Sequence, residues 1–308
     1  MEKVAENLVQ HGLNLVRDAK VAHGEVLVAR DRARLAEEAS RLRREFAEIT
    51  EARLRAGDLS ELETDIARSQ ARMAEERARR AAFDTAAAED RLRFLLGMSM
   101  DETSFSVVPS AAEPGDPGSF KEMLDDAFAS RPDLRAAELA MQAACERAGW
   151  ERSKILNLSA ILDINGEGKE GFEAGPGMLV ELPIFNTNLG GRARAEAEME
   201  QAALNYVAVQ HRIASEVRQA GTQLRQASEA FRLWRESILP PLEDAVRKSE
   251  SAYAAGDVSY LAVIEAALQL VKGRIVAVTA AADLRRARAE LNRSIGRNRV
   301  GEQQKSNP

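Results

Sequence analysis

The chain has 308 residues, 30% of them charged and only 5% aromatic, with a formal net charge of −6. That balance excludes nucleic acid as a partner class, because phosphates require a basic patch and here the arginines alternate with glutamates as on solvated helix faces. Cys145 is the only cysteine, which excludes a disulfide framework and a thiolate metal site, and His11, His23 and His211 are too scattered to share a metal ion.

Alanine, arginine, glutamate and leucine dominate with a period near 3.5 residues, the mark of long helices packed as coiled coil. Residues 2–55 are predicted as one helix, with a seam of mostly small residues at Leu8, Gly12, Leu15, Ala19, Ala22, Val26, Ala29, Ala33 and Ala36. A tight tip at Gly57 leads into a second helix over about 60–96. Residues 98–120 carry three prolines and two glycines and read as a connector, followed by a short helix over about 119–129. Pro132 suits the first turn of a further helix, running to about Trp150.

The period then changes to two. Leu156, Leu158, Ala160, Leu162 and Ile164 fall on one face of a predicted strand over 155–165. After a glycine-rich loop over 166–177, Met178, Val180, Leu182 and Ile184 alternate along a second strand to 185. The pair is predicted to be antiparallel, with Leu156, Leu158, Leu162, Val180, Leu182 and Ile184 facing outward. Its length suits both a lipid-spanning hairpin and a soluble one lying on helices.

A long helix starts near Gly190, with Met199, Ala203, Tyr206, Gln210, Ile213, Val217, Ala220, Leu224, Ala227, Phe231, Trp234 and Ile238 in strict 4-3 spacing. Pro240 and Pro241 are predicted to interrupt it before it resumes to Tyr253, for about 95 Å in all at 1.5 Å per residue. After a second tip, Leu261, Ile264, Leu268, Val271, Ile275, Val278 and Ala282 form the seam of a returning helix. The tail after Gly296 is polar.

The two tips are copies of one another. Sliding the chain by 199 residues superposes AGDLSELETDIARSQ, from Ala56, on AGDVSYLAVIEAALQ, from Ala255, and 14 of the 42 gapless positions between Ala56 and Gly97 are identical. In each copy a helix ends at a glycine able to take the left-handed conformation, and Ser60 or Ser259 can cap the next helix. Ser60 and Glu63 fit the capping box. The implied organisation is a first helical hairpin (1–97, the later half of one repeat), a connector or equatorial segment (98–130), a complete second repeat (131–296, with its β-hairpin at about 155–185) and a polar tail (297–308).

The opening residues lack the basic and apolar regions of an export signal, and no apolar run approaches the ~18 residues of a membrane-spanning helix. No Ser-His-Asp set, P-loop, HExxH motif or paired metal ligands occur, so neither an enzyme nor a cofactor is expected. Met73, Met98, Met100, Met123, Met141, Met178 and Met199 share no spacing and read as core filling and loop residues.

Certain stretches carry a family resemblance: RPDLRAAE from Arg131, ELPIFNTNLGGRARAEAEMEQA from Glu181, and ILPPLEDAVRKSESAYAAGDVSYLAVIEA from Ile238. With two hairpins of long helix and an inserted strand pair, they resemble the TolC-type outer-membrane efflux channel family, most closely its heavy-metal branch (CzcC- or CusC-like). The resemblance implies a mainly α fold of long antiparallel coiled-coil hairpins forming an α-barrel wall, with a β-hairpin lent to a shared transmembrane β-barrel. It implies a homotrimer in outer-membrane lipid with a periplasmic extension, whose tips meet a periplasmic adaptor coupled to an inner-membrane pump. It also implies a passive duct for metal ions or small toxic compounds. The implied adaptor contacts are Leu54, Gly57, Asp58 and Ser60 at the first tip and Tyr253, Gly256, Asp257 and Ser259 at the second. Of the acidic pair that narrows the family's aperture, Glu265 matches and the other position is Ala262.

Compared with the family pattern, the first strand pair, its leading helix and the export signal are missing, so the sequence is expected to be a fragment. Three copies bring roughly six strands, fewer than the eight of the smallest membrane barrels. The alternative reading is a soluble coiled-coil protein that binds partners through its hairpins, without channel activity.

Overall fold

A computed structural model describes residues 2–100, 106–108, 118–153, 157–168, 171–181 and 188–297, with side chains described from residue 8 onward and outside the two strands. The elements in order are α1 (Glu2–Arg55), α2 (Glu61–Leu95), α3 (Phe120–Ser130), α4 (Pro132–Ser153), β1 (Asn157–Gly168), β2 (Gly171–Glu181), α5 (Leu189–Arg232), a π-helical turn (Leu233–Ile238), α6 (Leu239–Ala255) and α7 (Tyr260–Ser294). They divide into two compact units. One holds residues 1–10 and 131–212, the other 11–130 and 213–308.

In the larger unit the helices are antiparallel neighbours in the order α2, α1, α7, α6. Arg30 and Arg91 of the first hairpin meet Glu89 and Glu25 at 2.7 and 3.3 Å, and Arg68 meets Glu51 at 2.6 Å. Between α1 and α7, Arg17 pairs with Glu290 at 3.2 Å and Arg43 with Glu265 at 3.8 Å. Arg274 of α7 reaches Glu243 of α6 at 3.3 Å.

The apolar contacts correct the predicted single seam of α1. Leu8 and Leu15 are 72% and 51% exposed and Gly12 is exposed, so that end of the seam packs nothing. Ala22 and Val26 are buried, against Leu92 of α2 and Val107. Leu35 and Leu42 are buried on a second face, against Ile264, Leu268 and Val271 of α7. A helix with a neighbour on each side needs two stripes, and a single heptad seam captures only the more regular of them. On α5, Ile213, Val217, Ala220 and Leu224 are buried as the 4-3 spacing predicts.

Pro240 and Pro241 do not interrupt the helix, contrary to expectation. Each lacks an N–H and brings its ring against the carbonyl four residues earlier. The π turn immediately before them, where the Leu239 N–H donates to the Trp234 carbonyl, adds one residue to the winding and carries the prolines into the first turn of α6. Just beyond, α6 presses on α7 at Gly273, where a Cβ would lie 2.7 Å from Leu242 Cδ1.

In the smaller unit, α4 and the first part of α5 flank the strand pair. Arg152 meets Glu196 at 2.9 Å and Arg147 meets Glu198 at 3.1 Å. Asn188, the residue before α5, has φ 54°, which asparagine tolerates, and its side-chain amide donates to Glu151 at 2.7 Å. Gly191 lies against it, for a Cβ there would clash with Asn188 Oδ1.

β1 and β2 pair antiparallel, with Asn157 opposite Glu181, Leu158 opposite Val180, Ala160 opposite Met178 and Ile164 opposite Ala174. The two alternations are therefore in phase. The predicted loop over 166–177 is a correction: Gly171–Gly177 belongs to β2. Glycine weakens a strand without forbidding it, and Pro176 is tolerated because both strands of a two-stranded sheet are edges with N–H groups turned away from the partner. Leu156, Leu182 and Ile184 lie outside the described residues.

Candidate functional site

Both tips are built by the same backbone device. At the first, the Gly57 N–H donates to the Leu54 carbonyl and the Asp58 N–H to the Arg53 carbonyl, each at 2.9 Å. At the second, Gly256 donates to Tyr253 at 3.0 Å and Asp257 to Ala252 at 2.9 Å. These crossed bonds are the Schellman motif, which needs a left-handed residue at its centre, and Gly57 and Gly256 have φ of 82° and 85°.

Beyond the glycine the two tips differ. Ser60 Oγ accepts from the Glu63 N–H at 3.3 Å while Glu63 Oε2 accepts from the Ser60 N–H at 3.1 Å, the expected capping box. Ser259 occupies the same place but makes no side-chain cap, and Ala262 stands where Glu63 stands. We expect Ser60→Ala to destabilise the first hairpin by about 1 kcal/mol and Ser259→Ala to be nearly neutral, measured by chemical unfolding followed by circular dichroism. Hydrogen bonds from the Ser60 side chain and backbone hold the Glu63 carboxyl below its usual range. The box is therefore complete above the ordinary glutamate pKa and is lost as pH falls through the lower folded value.

The second tip is tied to α1 by contacts that no sequence motif marks. The Tyr253 and Tyr260 rings lie 5.1 Å apart, and the Tyr260 hydroxyl donates to Glu45 Oε1 at 2.8 Å. That bond to a carboxylate raises the phenol pKa. Its one sequence signal is that Tyr260 replaces Glu61 in the other copy of the repeat. One turn further along α7, Glu265 is half exposed and lies 3.8 Å from Arg43, with Gln269 at 3.5 Å. The structure thus places Tyr253, Gly256, Asp257 and Ser259 together and exposed, with Glu265 close behind, and Gly57, Asp58 and Ser60 exposed at the other tip with Leu54 half-buried.

Among the described residues, no group of three or more His, Cys, Asp or Glu is placed to hold a metal ion, and no helix is long and apolar enough to cross a membrane.

The outer membrane efflux protein family matches residues 123–297. The cobalt-zinc-cadmium resistance protein CzcC of Cupriavidus metallidurans is 24% identical over 277 residues, covering 88% of this chain and 65% of the relative. The chain therefore spans just under two thirds of that relative's length. Among solved structures, the outer-membrane channel OprN superposes with a TM-score of 0.79 at 20% identity, over 96% of this chain and 69% of its own. CusC, described in terms of transmembrane channel formation, superposes with a TM-score of 0.75 at 20% identity, over 96% and 71%. At these identities the solved structures establish the fold.

Proposed function

This chain belongs to the outer membrane efflux protein family, and from that premise we propose that it serves as the outer-membrane channel component of a tripartite efflux system. Its cargo, on this reading, is metal ions of the cobalt, zinc and cadmium class or small toxic compounds, with CzcC as the supporting relative. The chain works as a passive duct without catalysis. Copies assemble as a homotrimer in the outer membrane with a periplasmic extension. The β1–β2 hairpin of each supplies one strand pair to a common barrel, which three such pairs do not close without further strands, and the helical hairpins form the wall below it. The chain organisation follows the repeat: a first hairpin over 1–97, a connector over 98–130 and the full unit over 131–296.

The observation that carries this reading is the strand pair itself. Twelve and eleven residues, between α4 and α5 of an otherwise helical chain, match the roughly 9–11 residues of a membrane-crossing strand. Their in-phase alternation supplies one apolar face. In lipid vesicles, environment-sensitive probes at positions 158 and 180 are expected to report hydrocarbon, and probes at 159 and 179 water. Water at all four positions would falsify the barrel reading and favour a soluble coiled-coil protein.

The tips are the adaptor contacts on this reading: Leu54, Gly57, Asp58 and Ser60 in one hairpin, Tyr253, Gly256, Asp257 and Ser259 in the other. The N–H groups of Gly57, Asp58, Gly256 and Asp257 are satisfied within the tips, and the side chains of Asp58, Tyr253 and Asp257 are exposed to meet a partner. Gly256→Val is expected to weaken crosslinking to a cognate periplasmic adaptor at least fivefold while leaving helicity unchanged, because a β-branched residue at φ 85° distorts the turn and little else. A parallel loss of both signals would leave the glycine a structural role only. Glu265 lines the periplasmic aperture of the duct, coupled to an inner-membrane pump through the adaptor. With Arg43 only 3.8 Å away, its pull on cations is weaker than that of an isolated carboxylate.

A further inference from the structure

The two copies of the repeat keep two different offsets. At the tips the offset is 199, since Gly57 falls on Gly256. Along the helices that lead to the tips it is 198. There the α1 seam from Leu8 to Ala36 falls position for position on the seam from Tyr206 to Trp234. Between residues 8 and 35 a shift of 198 gives five identities, Val9, Ala22, Ala29, Arg34 and Leu35, and a shift of 199 gives none. The second copy therefore holds one more residue between Leu233 and Gly256. All of that interval is described, and its one departure from α winding is the π turn over Leu233–Ile238. The counterpart stretch of α1 is unbroken α-helix.

One residue added to an α-helix turns everything beyond it by about 100°, which takes either the seam or the tip off its partner. A π turn takes up the extra residue in a locally wider turn, so both keep facing α7. What it changes is the space between the helices. On the tip side of the turn α6 closes on α7 at Gly273. Leu242, Leu239 and the edge of the Trp234 ring all come within 4 Å of where a Cβ would stand. On the other side α5 and α7 part around a cavity of about 540 Å³, the size of a small-molecule site. Ala227, Ala230 and Ala280 give it apolar walls, and Trp234 lies at the end where the helices meet. Gln226 of α5 and Asp283 of α7 add polar groups from both sides. Glu290 and Arg286 also line it, but Glu290 is held by Arg17 and Arg293, and Arg286 lies between Glu25 and Asp283. Asp283 is the looser carboxylate, half exposed and paired among the described residues with Arg286 at 3.3 Å.

We propose that this cavity binds an extended, planar organic cation, stacked on Trp234 with its charge toward Asp283. An indole face attracts a cation, and a flat ring system fits between walls of alanine. From Gly273, where the helices meet, to Asp283 is about 15 Å of α7, a length for fused rings rather than a compact ion. The lining carries two carboxylates against one guanidinium, and that guanidinium is already shared by two carboxylates, which favours a cation over an anion. The site belongs to a single chain and stands whether or not the chain conducts.

The probe is N-methylacridinium, added to the full chain carrying Trp150→Phe, so that Trp234 is its one tryptophan. Saturable quenching of the Trp234 emission is expected. Neutral acridine at pH 8 should bind about fivefold more weakly, and Asp283→Asn should weaken the cation by about the same factor. Trp234→Leu, followed by the anisotropy of the dye, should weaken binding about tenfold. Equal binding of the charged and neutral dyes, affinity unchanged in both variants, or no saturable binding overturns the proposal. A deletion tests the origin of the cavity. Removing Arg235 together with Pro240→Ala and Pro241→Ala restores the winding of α1, and should keep the circular dichroism while abolishing dye binding. Removing Arg225 instead, in regular α winding and with the same proline changes, should turn Val217 and Leu224 out of their buried positions and lower stability. Equal damage from the two deletions refutes the inserted residue. A folded Arg235 deletion that still binds the dye refutes the π turn as the source of the site.

Discussion

Replacing Arg131 with alanine is expected to lower stability by about 3–5 kcal/mol, far more than the loss of any exposed ion pair on the helix surfaces. The Arg131 side chain is 2% exposed and binds Asp133 through two parallel hydrogen bonds, Nε to Oδ1 at 2.9 Å and Nη2 to Oδ2 at 2.6 Å. Asp133 also accepts the Leu134 N–H at 3.0 Å and lies 3.4 Å from Arg212. Burial pushes the Asp133 pKa up, but the bonds to Arg131 outweigh it and the net shift is downward. A depressed folded pKa contributes stability above the ordinary aspartate value, and that contribution is lost as pH falls through the lower folded value. Without the guanidinium, burial is opposed only by Arg212 and the Leu134 N–H, and the downward shift is weakened. The deficit of Arg131→Ala is then greatest at neutral pH, where the carboxyl is charged, and shrinks in acid as it takes up a proton. Denaturant titrations at pH 7 and pH 3.5 check both parts. Arg131→Met with Asp133→Leu should recover most of the loss, because an apolar pair leaves no charge stranded. A deficit independent of pH would show that Arg131 acts through packing alone.

Leu35→Ala is expected to cost about 2–5 kcal/mol, by removing a buried side chain and leaving a cavity that its neighbours cannot fill. Leu35 is 0% exposed and shares a cluster with Leu42, Ile264, Leu268 and Val271. Because this cluster is the apolar part of the α1–α7 seam, the loss should be local as well as global. Amides of α7 around Leu268 should exchange faster than those of α2 around Ala74, which packs on the other side of the hairpin. Leu15→Ala, on the same helix but 51% exposed, is expected to change the stability of a single copy by less than about 0.5 kcal/mol. Equal effects of Leu35→Ala and Leu15→Ala would restore the single-seam picture of α1.

Short-range chemistry was readable without coordinates. The repeat, the two glycine tips, the Ser60–Glu63 box and most helix limits depend on a few adjacent residues whose sterics and hydrogen bonds are settled locally. The strand pair was readable as a change of period, and its in-phase pairing follows from that alternation. Its extent was not. Glycine and proline over 166–177 signal a loop when read alone, whereas an edge strand absorbs them once a partner supplies the ladder.

The tip residues Leu54, Gly57, Asp58, Ser60, Tyr253, Gly256, Asp257 and Ser259 were legible because their motif is contiguous. Arg43 and Glu45 were not, for they lie more than 200 residues from Glu265 and Tyr260, and nothing in α1 marks those two among its many charges. The same limit explains α1. Its sequence carries two usable apolar stripes, and periodicity ranks the smaller, more regular one first. Only the placement of α2 on one side and α7 on the other decides that Ala22 and Val26 serve the first neighbour and Leu35 and Leu42 the second. The amino-acid sequence by itself determined where this chain turns and which segments are helix or strand, because those choices are made within a few residues. The tertiary structure decided which face meets which neighbour, because that depends on contacts closed across hundreds of residues, where many pairings satisfy the local rules and packing selects one.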